Sequence, residues 1–393
     1  MAVRKTILSL IVISQFLCTS LWFAGNGVMR DLMLNFELEP AALGHLTSAV
    51  QAGFILGTLG FAFLNLADRF SPSKVFFYSA IFGALLNLGL LWNSNTMTSL
   101  FLLRLGTGIS LAGIYPVGMK IASDYYRKGL GTSLGFLVGA LVLGTAVPHL
   151  LNYLLGTGSY SWKLVLLLTS IFAATGGLLV RVFIPDGPFR QPMAHRDLSA
   201  VWKVFRVRDF KIAAAGYFGH MWELYSFWAF VPFLLSWYAA TRPHLDLDIS
   251  LLSFLIIGVG GLACVAAGFI SKTAGTKRTA ATALSLSGLC CLVSPVFFLQ
   301  DSIGVLMIFL IFWGIVVVAD SPLFSTLVAN HAAENARGTA LTIVNCIGFA
   351  ITVVSLQLIN FLSLVISEAY LFLFLLPGPL LGIFLLLKKS RAG

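Results

Sequence analysis

Arg127-Lys128-Gly129-Leu130-Gly131-Thr132-Ser133-Leu134 has a counterpart later in the chain, Ala336-Arg337-Gly338-Thr339-Ala340-Leu341. Just ahead of the first copy stands Ile114-Tyr115-Pro116, and ahead of the second Asp320-Ser321-Pro322. A third pairing sets Asp68-Arg69 with Lys74 against Gly268 through Gly275 with Lys277 and Arg278. The offset is 204 to 207 residues throughout, about half the chain. The sequence therefore reads as two copies of one unit in parallel order.

Composition says what that unit is made of. Of 393 residues 58% are hydrophobic and only 10% charged, and Phe alone fills 33 positions. A soluble domain carries about 25% charged residues, so the chain reads as a polytopic membrane protein. Apolar windows of about 20 residues, enough to cross roughly 30 Å of hydrocarbon, fall at 7–29, 41–63, 74–92, 98–122, 131–155, 163–183, 212–237, 250–270, 279–299, 303–328, 338–361 and 367–387. The expected fold is all-α, with twelve transmembrane helices in two pseudo-symmetric six-helix bundles: 1–184, a cytoplasmic linker at 185–211, and 212–393. The linker holds Arg190, Arg196, Lys203, Arg206, Arg208 and Lys211.

The net charge of +10 does not point to nucleic acid, because Lys and Arg sit in short clusters between apolar runs. With a cytoplasmic N-terminus, all but Arg30, Arg104, Lys163 and Arg242 of the 25 basic residues fall inside. That bias places both termini in the cytoplasm of a cell inner membrane. Residues 1–26 imitate a signal peptide, but the apolar run continues to Phe23 without a small-residue cleavage site, so a retained first span is expected. Cys18, Cys264, Cys290, Cys291 and Cys346 lie in apolar stretches without metal-ligand spacing and read as packing residues.

Loop motifs add a family likeness. Leu64-Asn65-Leu66-Ala67-Asp68-Arg69-Phe70-Ser71-Pro72-Ser73-Lys74 is similar to the Gly-x-x-x-Asp-Arg-x-Gly pattern between spans 2 and 3 of the major facilitator superfamily, with Leu64 and Ser71 in place of its glycines. The second copy keeps Gly268 and Gly275 but has Lys272 where the acid would stand. Arg104-x-x-x-Gly108 resembles the family's fourth-span motif, and Pro185-Asp186-Gly187-Pro188 with Arg190 the one closing span 6. The resemblance implies alternating access, with spans 1, 4, 7 and 10 around a central cavity, a small-molecule solute as partner and no cofactor. Within the family the chain is loosely similar to the nitrate, nitrite and cyanate porters. Nitrate porters carry an Arg in spans 2 and 8; neither span has one here.

Three charged residues lie deep in apolar stretches, Arg104, Glu223 and Asp320. Each costs roughly +2.5 to +3.5 kcal/mol on insertion scales, so a protein-facing or wet position is expected. They fall on spans 4, 7 and 10, and are expected to share one cavity. His220 and Glu223, three apart, share a face of span 7 with Gly216 and Phe227. Glu223, Asp320 and His220 are the candidate proton-coupling residues. Gln15, Thr19, Trp22 and Asn26 form a helical stripe on span 1; with Gln51, Arg104, Tyr115, Trp222 and Phe227 they are the candidate cavity lining. Asp68, Arg69 and Lys74 are the candidate gate. The reading is a monomeric, proton-coupled secondary transporter and not an enzyme, since no phosphate loop, Gly-x-Ser-x-Gly elbow or His-Glu-x-x-His run is present. The alternatives are an ion-independent facilitator, a divalent-metal transporter using His220, Glu223 and Asp320, and a membrane sensor on the same fold.

Overall fold

Polar caps start the spans on one side of the bundle. Thr96 and Ser99 form a reciprocal capping box before span 4, and Asp248 Oδ1 accepts from Leu251 N (2.8 Å) before span 8. Ser302 caps span 10 in the same way. Each satisfies backbone N–H groups where an apolar run begins. The computed structural model describes residues 2–126, 130–156, 161–190, 205–332 and 337–388, and within them there is no strand. The reading of Arg127-Lys128-Gly129 and of linker residues 191–204 lies outside the described residues.

Twelve spans follow. Span 1 comprises Ala2–Thr19, Ala24–Gly27 and Met29–Asn35; span 2 is Ala42–Phe63, span 3 Pro72–Gly89. Span 4 is Met97–Ala112 plus Tyr115–Tyr125; spans 5 and 6 are Leu130–Leu155 and Ser161–Phe183. In the second half span 7 is Arg208–Ala240, span 8 Ile249–Ala274, span 9 Thr276–Leu299 and span 10 Ile303–Ala319 plus Ser321–His331. Span 11 is Arg337–Leu362, and span 12 a 3₁₀ stretch, Glu368–Leu375, followed by Pro377–Leu387. Nine of these helices are long and apolar enough to cross a membrane unaided; spans 1, 3 and 7 complete the set.

The breaks in spans 4 and 10 coincide with the repeat seen in the sequence. Pro116 and Pro322 occupy the first turn of each second segment, where a missing N–H costs nothing. Span 1 was expected as one helix. It breaks after Thr19 because Thr19 and Ser20 hydroxyls donate back to Gln15 O (2.8 Å) and Leu17 O (2.7 Å), and the chain turns before Ala24. The junctions after spans 2 and 8 use different residues for a similar turn. Gly275 takes φ +87°, a left-handed value that suits glycine, whereas Ser71 stays at −59° and Asn65 supplies φ +51°.

Glycine brings spans 2 and 4 into backbone contact. A Cβ on Gly108 would strike Val50 O, and one on Gly53 would strike Leu105 O. Gly108→Ala is therefore expected to destabilise by about 1–3 kcal/mol through overpacking, seen as a lower unfolding temperature of the purified protein. Gly60→Ala, where nothing lies within 4 Å, is the neutral comparison.

The halves meet along spans 5 with 8 and 2 with 11. We call the side bearing the loop of Asp68 and Arg69 the basic face. At the opposite face Asn152 Nδ2 donates to Ser250 Oγ (3.0 Å), Gln357 Nε2 to Ser48 Oγ (2.7 Å) and Gly44 O (3.1 Å), and Asn360 Nδ2 to Ala41 O (3.2 Å). Toward the basic face the seam opens. A Cβ on Gly261 would lie 3.0 Å from Gly139 O, one on Gly135 would lie 3.6 Å from Cys264 O, and Gly268 has no described neighbour within 4 Å. Gly60 on span 2 is equally open. The cross-half hydrogen bonds named above lie at the opposite face, and the packing of span 5 on span 8 loosens toward the basic face.

Candidate functional site

The span 7 stripe is real, but it faces span 10 rather than the other half. A Cβ on Gly216 would meet the Phe324 ring, His220 meets Asp320, and Phe227 packs on Trp313 at 4.8 Å between centroids. Spans 7 and 10 run antiparallel, so each step up one stripe is a step down the other. Glu223 Oε1 accepts from Ser287 Oγ and from Trp313 Nε1 (2.6 Å). It is 1% exposed and enclosed by spans 9 and 10 of its own half.

Asp320 sits at the break of span 10, fully buried, with Oδ1 2.8 Å from His220 Nδ1. The contact is within ion-pair range, and it is a charge pair when His220 carries a second proton. The far atoms, His220 Nε2 and Asp320 Oδ2, are buried and have no hydrogen-bond partner among the described residues. Such orphaned polar atoms are costly and mark a place where a proton, water or solute atom completes the set. The segment after Asp320 touches span 5, so the pair lies near the seam.

Trp22 forms the other side of the centre. It stacks on Tyr225 (5.9 Å) and Phe349 (5.6 Å) of the second half, and tilts against Phe54 (4.9 Å) of its own. Tyr115 meets its edge at 6.4 Å and remains partly exposed. Phe23 meets Trp228 across the seam at 6.1 Å. Gln15 and Gln51 are buried, and neither their amide atoms nor Trp22 Nε1 has a hydrogen-bond partner among the described residues.

Several expected lining residues are placed elsewhere. Arg104 donates to Leu21 O (3.1 Å) and Trp22 O (2.6 Å) inside its own bundle. Those carbonyls are exposed by the break in span 1, and a guanidinium there also suits the negative end of the Ala2–Thr19 helix. The expectation that Arg104, Glu223 and Asp320 share one cavity is thereby corrected: only Asp320 lies near the seam. Trp222 Nε1 donates to Phe374 O (3.1 Å) and packs against Gly378 of span 12. Phe227 is sealed between Trp313 and Phe372. Thr19 bonds to its own helix and faces Gly144 of span 5; Asn26 Nδ2 donates to Thr47 Oγ1 (2.8 Å). Among the described residues no three His, Cys, Asp or Glu side chains converge as a metal ion requires; Glu223 bonds to Ser287 and Trp313 while His220 meets Asp320.

The candidate gate residues separate. Asp68 pairs with Lys120 (2.9 Å), which also lies 3.7 Å from Asp124. Arg190 pairs with Asp186 and donates to Asp68 O (3.1 Å) and Phe70 O (2.9 Å), tying loop 2–3 to the end of span 6. Arg69 is exposed over the Phe70 ring, and Lys74 is exposed. Lys120 and Asp124 were not singled out from sequence, although their i,i+4 spacing on span 4 is a legible pairing signal.

The sequence profile of the Major Facilitator Superfamily matches residues 11–356. The chain belongs to the major facilitator superfamily. Solved structures of the same fold include a bacterial homolog of the human lysosomal transporter Spinster, inward-facing and unoccupied (TM-score 0.70, 15% identity, covering 98% of this chain and 95% of that one). The proton:xylose symporter XylE, bound to 6-bromo-6-deoxy-D-glucose, gives TM-score 0.77 at 13% identity, over 98% and 95% of the two chains. The human organic anion transporter MFSD10 gives 0.73 at 15% identity, over 98% and 99%. No curated protein matches the sequence. The family makes this chain a multi-pass membrane transporter and not an enzyme.

Proposed function

We propose that this transporter moves a small, hydrogen-bonding organic solute in exchange for, or together with, protons, by alternating access across a cell inner membrane. Both termini are cytoplasmic in this reading, so the basic face is the inward one. The observation that carries it is the buried His220–Asp320 pair, with two orphaned atoms, at a helix break beside the seam. A carboxylate there binds and releases a proton as the seam opens and closes. Glu223, one turn further along span 7, is placed as a relay. Asp68 and its Lys120 partner are assigned to stabilising the first half in one access state.

Trp22, Tyr115, Tyr225 and Phe349 offer apolar faces to a solute, and Gln15 and Gln51 offer unpaired amides. Arg104 is committed to backbone carbonyls, which disfavours a simple anion as cargo. The test is proteoliposomes carrying an internal pH dye, challenged with a panel of sugars, neutral amino acids and amines. Proton movement driven by one of these supports the proposal. Solute movement with no proton movement makes the protein a facilitator, and no movement of any solute makes it a sensor.

Alternation itself has a test. Replacing Gln357 and Asn360 by Leu removes hydrogen bonds worth about 1 kcal/mol each, only in the state closed at the opposite face. The population is expected to shift about tenfold or more toward the other state. Met119→Cys, partly exposed beside Lys120 in the second segment of span 4, should then label more slowly from the basic face in a background without the native cysteines. Unchanged labelling rates would count against the assignment of these bonds to closure.

A further inference from the structure

Between the basic ends of spans 9 and 12 lies an open cavity of about 640 Å³, lined by these two spans of the second half and so outside the seam. Lys277 and Arg278 enter it from the first turn of span 9, and Lys388 enters from the end of span 12. Residues 110 apart in sequence thus bring three cations to one hollow. A bias of basic residues toward one face would scatter them over that face; it does not require this convergence.

The charges there are uncompensated. No Asp or Glu occurs in residues 268–292 or 377–393, and among the described residues none of the three cations has an ion-pair partner. The start of span 9 adds to them. Gly275, at φ +87°, supplies no side-chain cap, so the N–H groups of the first turn point outward with the positive end of a 24-residue helix behind them. Thr282 adds a hydroxyl to the lining.

The remaining wall is apolar. Leu286 and Leu386 line the hollow, and Leu289, Leu292, Leu381 and Phe384 continue outward from it along the two helices, each more than half exposed. An anion-binding rim joined to a lipid-facing apolar groove suits an amphiphile better than a free ion, because an inorganic anion has no use for the groove.

We propose that this cavity binds the phosphate of an anionic glycerophospholipid, with its acyl chains lying along spans 9 and 12. The inference is independent of the transport reading: the site lies on one half alone and takes no part in the His220–Asp320 pair.

Thermal unfolding of the full-length purified protein in detergent tests it, with phosphatidylglycerol as the probe. Phosphatidylcholine of the same chains and inorganic phosphate are the comparisons. Phosphatidylglycerol is expected to raise the unfolding temperature, and the other two to leave it unchanged. The triple variant Lys277→Gln, Arg278→Gln, Lys388→Gln should need about a hundredfold more phosphatidylglycerol for the same shift, and Arg278→Gln alone about fivefold, by the usual strength of a basic residue at an anionic surface. Lys272→Gln, which removes an exposed cation stacked on Phe269 outside the cavity, should respond like the unaltered protein. The proposal is overturned if phosphatidylcholine works equally well, if inorganic phosphate alone reproduces the shift, or if phosphatidylglycerol has no effect. It is also overturned if the triple variant responds normally, or if Lys272→Gln loses the response to the same degree.

Discussion

Asp320→Asn is expected to bring solute-driven proton movement to background, a fall of about a hundredfold or more, while the protein still purifies in a folded state. The amide keeps the volume of the carboxyl at a fully buried position and can sit opposite His220, but it cannot carry a proton. Loss of the charge also removes a desolvation cost, so the fold has no reason to suffer much. The measurement is dye-reported proton flux in proteoliposomes beside the unfolding temperature of the same preparation. Flux at the unaltered level would sink the proposed role. Glu223→Gln separates the two acids. Its amide oxygen can still accept from Trp313 and Ser287, so the packing survives. Loss of flux there as well makes the acids a relay; retention leaves Asp320 as the carrier.

Much of the architecture was legible because a bilayer imposes a length and the repeat imposes an offset. The prolines at 116 and 322, which the repeat sets in register, fall at the breaks in spans 4 and 10. The site was less legible, for a geometric reason. Helical spacing puts Gly216, His220, Glu223 and Phe227 on one stripe, but the rotation of span 7 decides whether that stripe meets span 10 or the cavity. Rotation follows from packing around the whole helix: Tyr217 against Gly348, Tyr225 against Trp22 and Trp228 against Phe23 turn the other face toward the seam. Asp320 stood out in the sequence because an acid inside an apolar stretch is a local signal that needs no knowledge of helix rotation. Trp222 and Phe227 were misplaced because an aromatic residue reads alike whether it packs on span 12 or faces a solute.

The seam of the two halves connects this packing to movement. Spans 5 and 8 touch through Gly139 and Gly261 and diverge by Gly268, all on one stripe of each helix. Small residues let the backbones meet without interlocked side chains, so one half can rock on the other about that contact. Closing the basic face would bring Gly268 toward span 5 and draw Gln357 away from Ser48. Trp22, between Tyr115 on one side and Tyr225 and Phe349 on the other, would lose its second-half neighbours in the same step.

Arg104→Ala is expected to be the most destabilising single change, and its cause lies in span 1. The break after Thr19 leaves Trp22 O without a backbone donor among the described residues and Leu21 O with only a long turn bond from Ala24 N (3.5 Å), inside a buried bundle, and Arg104 is the donor to both. Hydrogen bonds from a charged donor are worth about 1.5–3 kcal/mol each, so the truncation should cost about 3–6 kcal/mol, apart from the cavity it leaves. Gly25 fits the same account, because a Cβ there would lie 3.3 Å from Arg104 Nε and crowd the guanidinium. Arg104→Lys discriminates between supporting the break and binding a solute. An ammonium keeps the charge that an anionic solute would need, yet it cannot reach both carbonyls in the forked geometry of a guanidinium. Lysine should therefore recover at most about half of the lost stability, in unfolding scans run with no solute present. The account fails if Arg104→Ala unfolds at the unaltered temperature. A restored unfolding temperature in Arg104→Lys would show that charge alone is sufficient, and the support for span 1 would have to come from elsewhere.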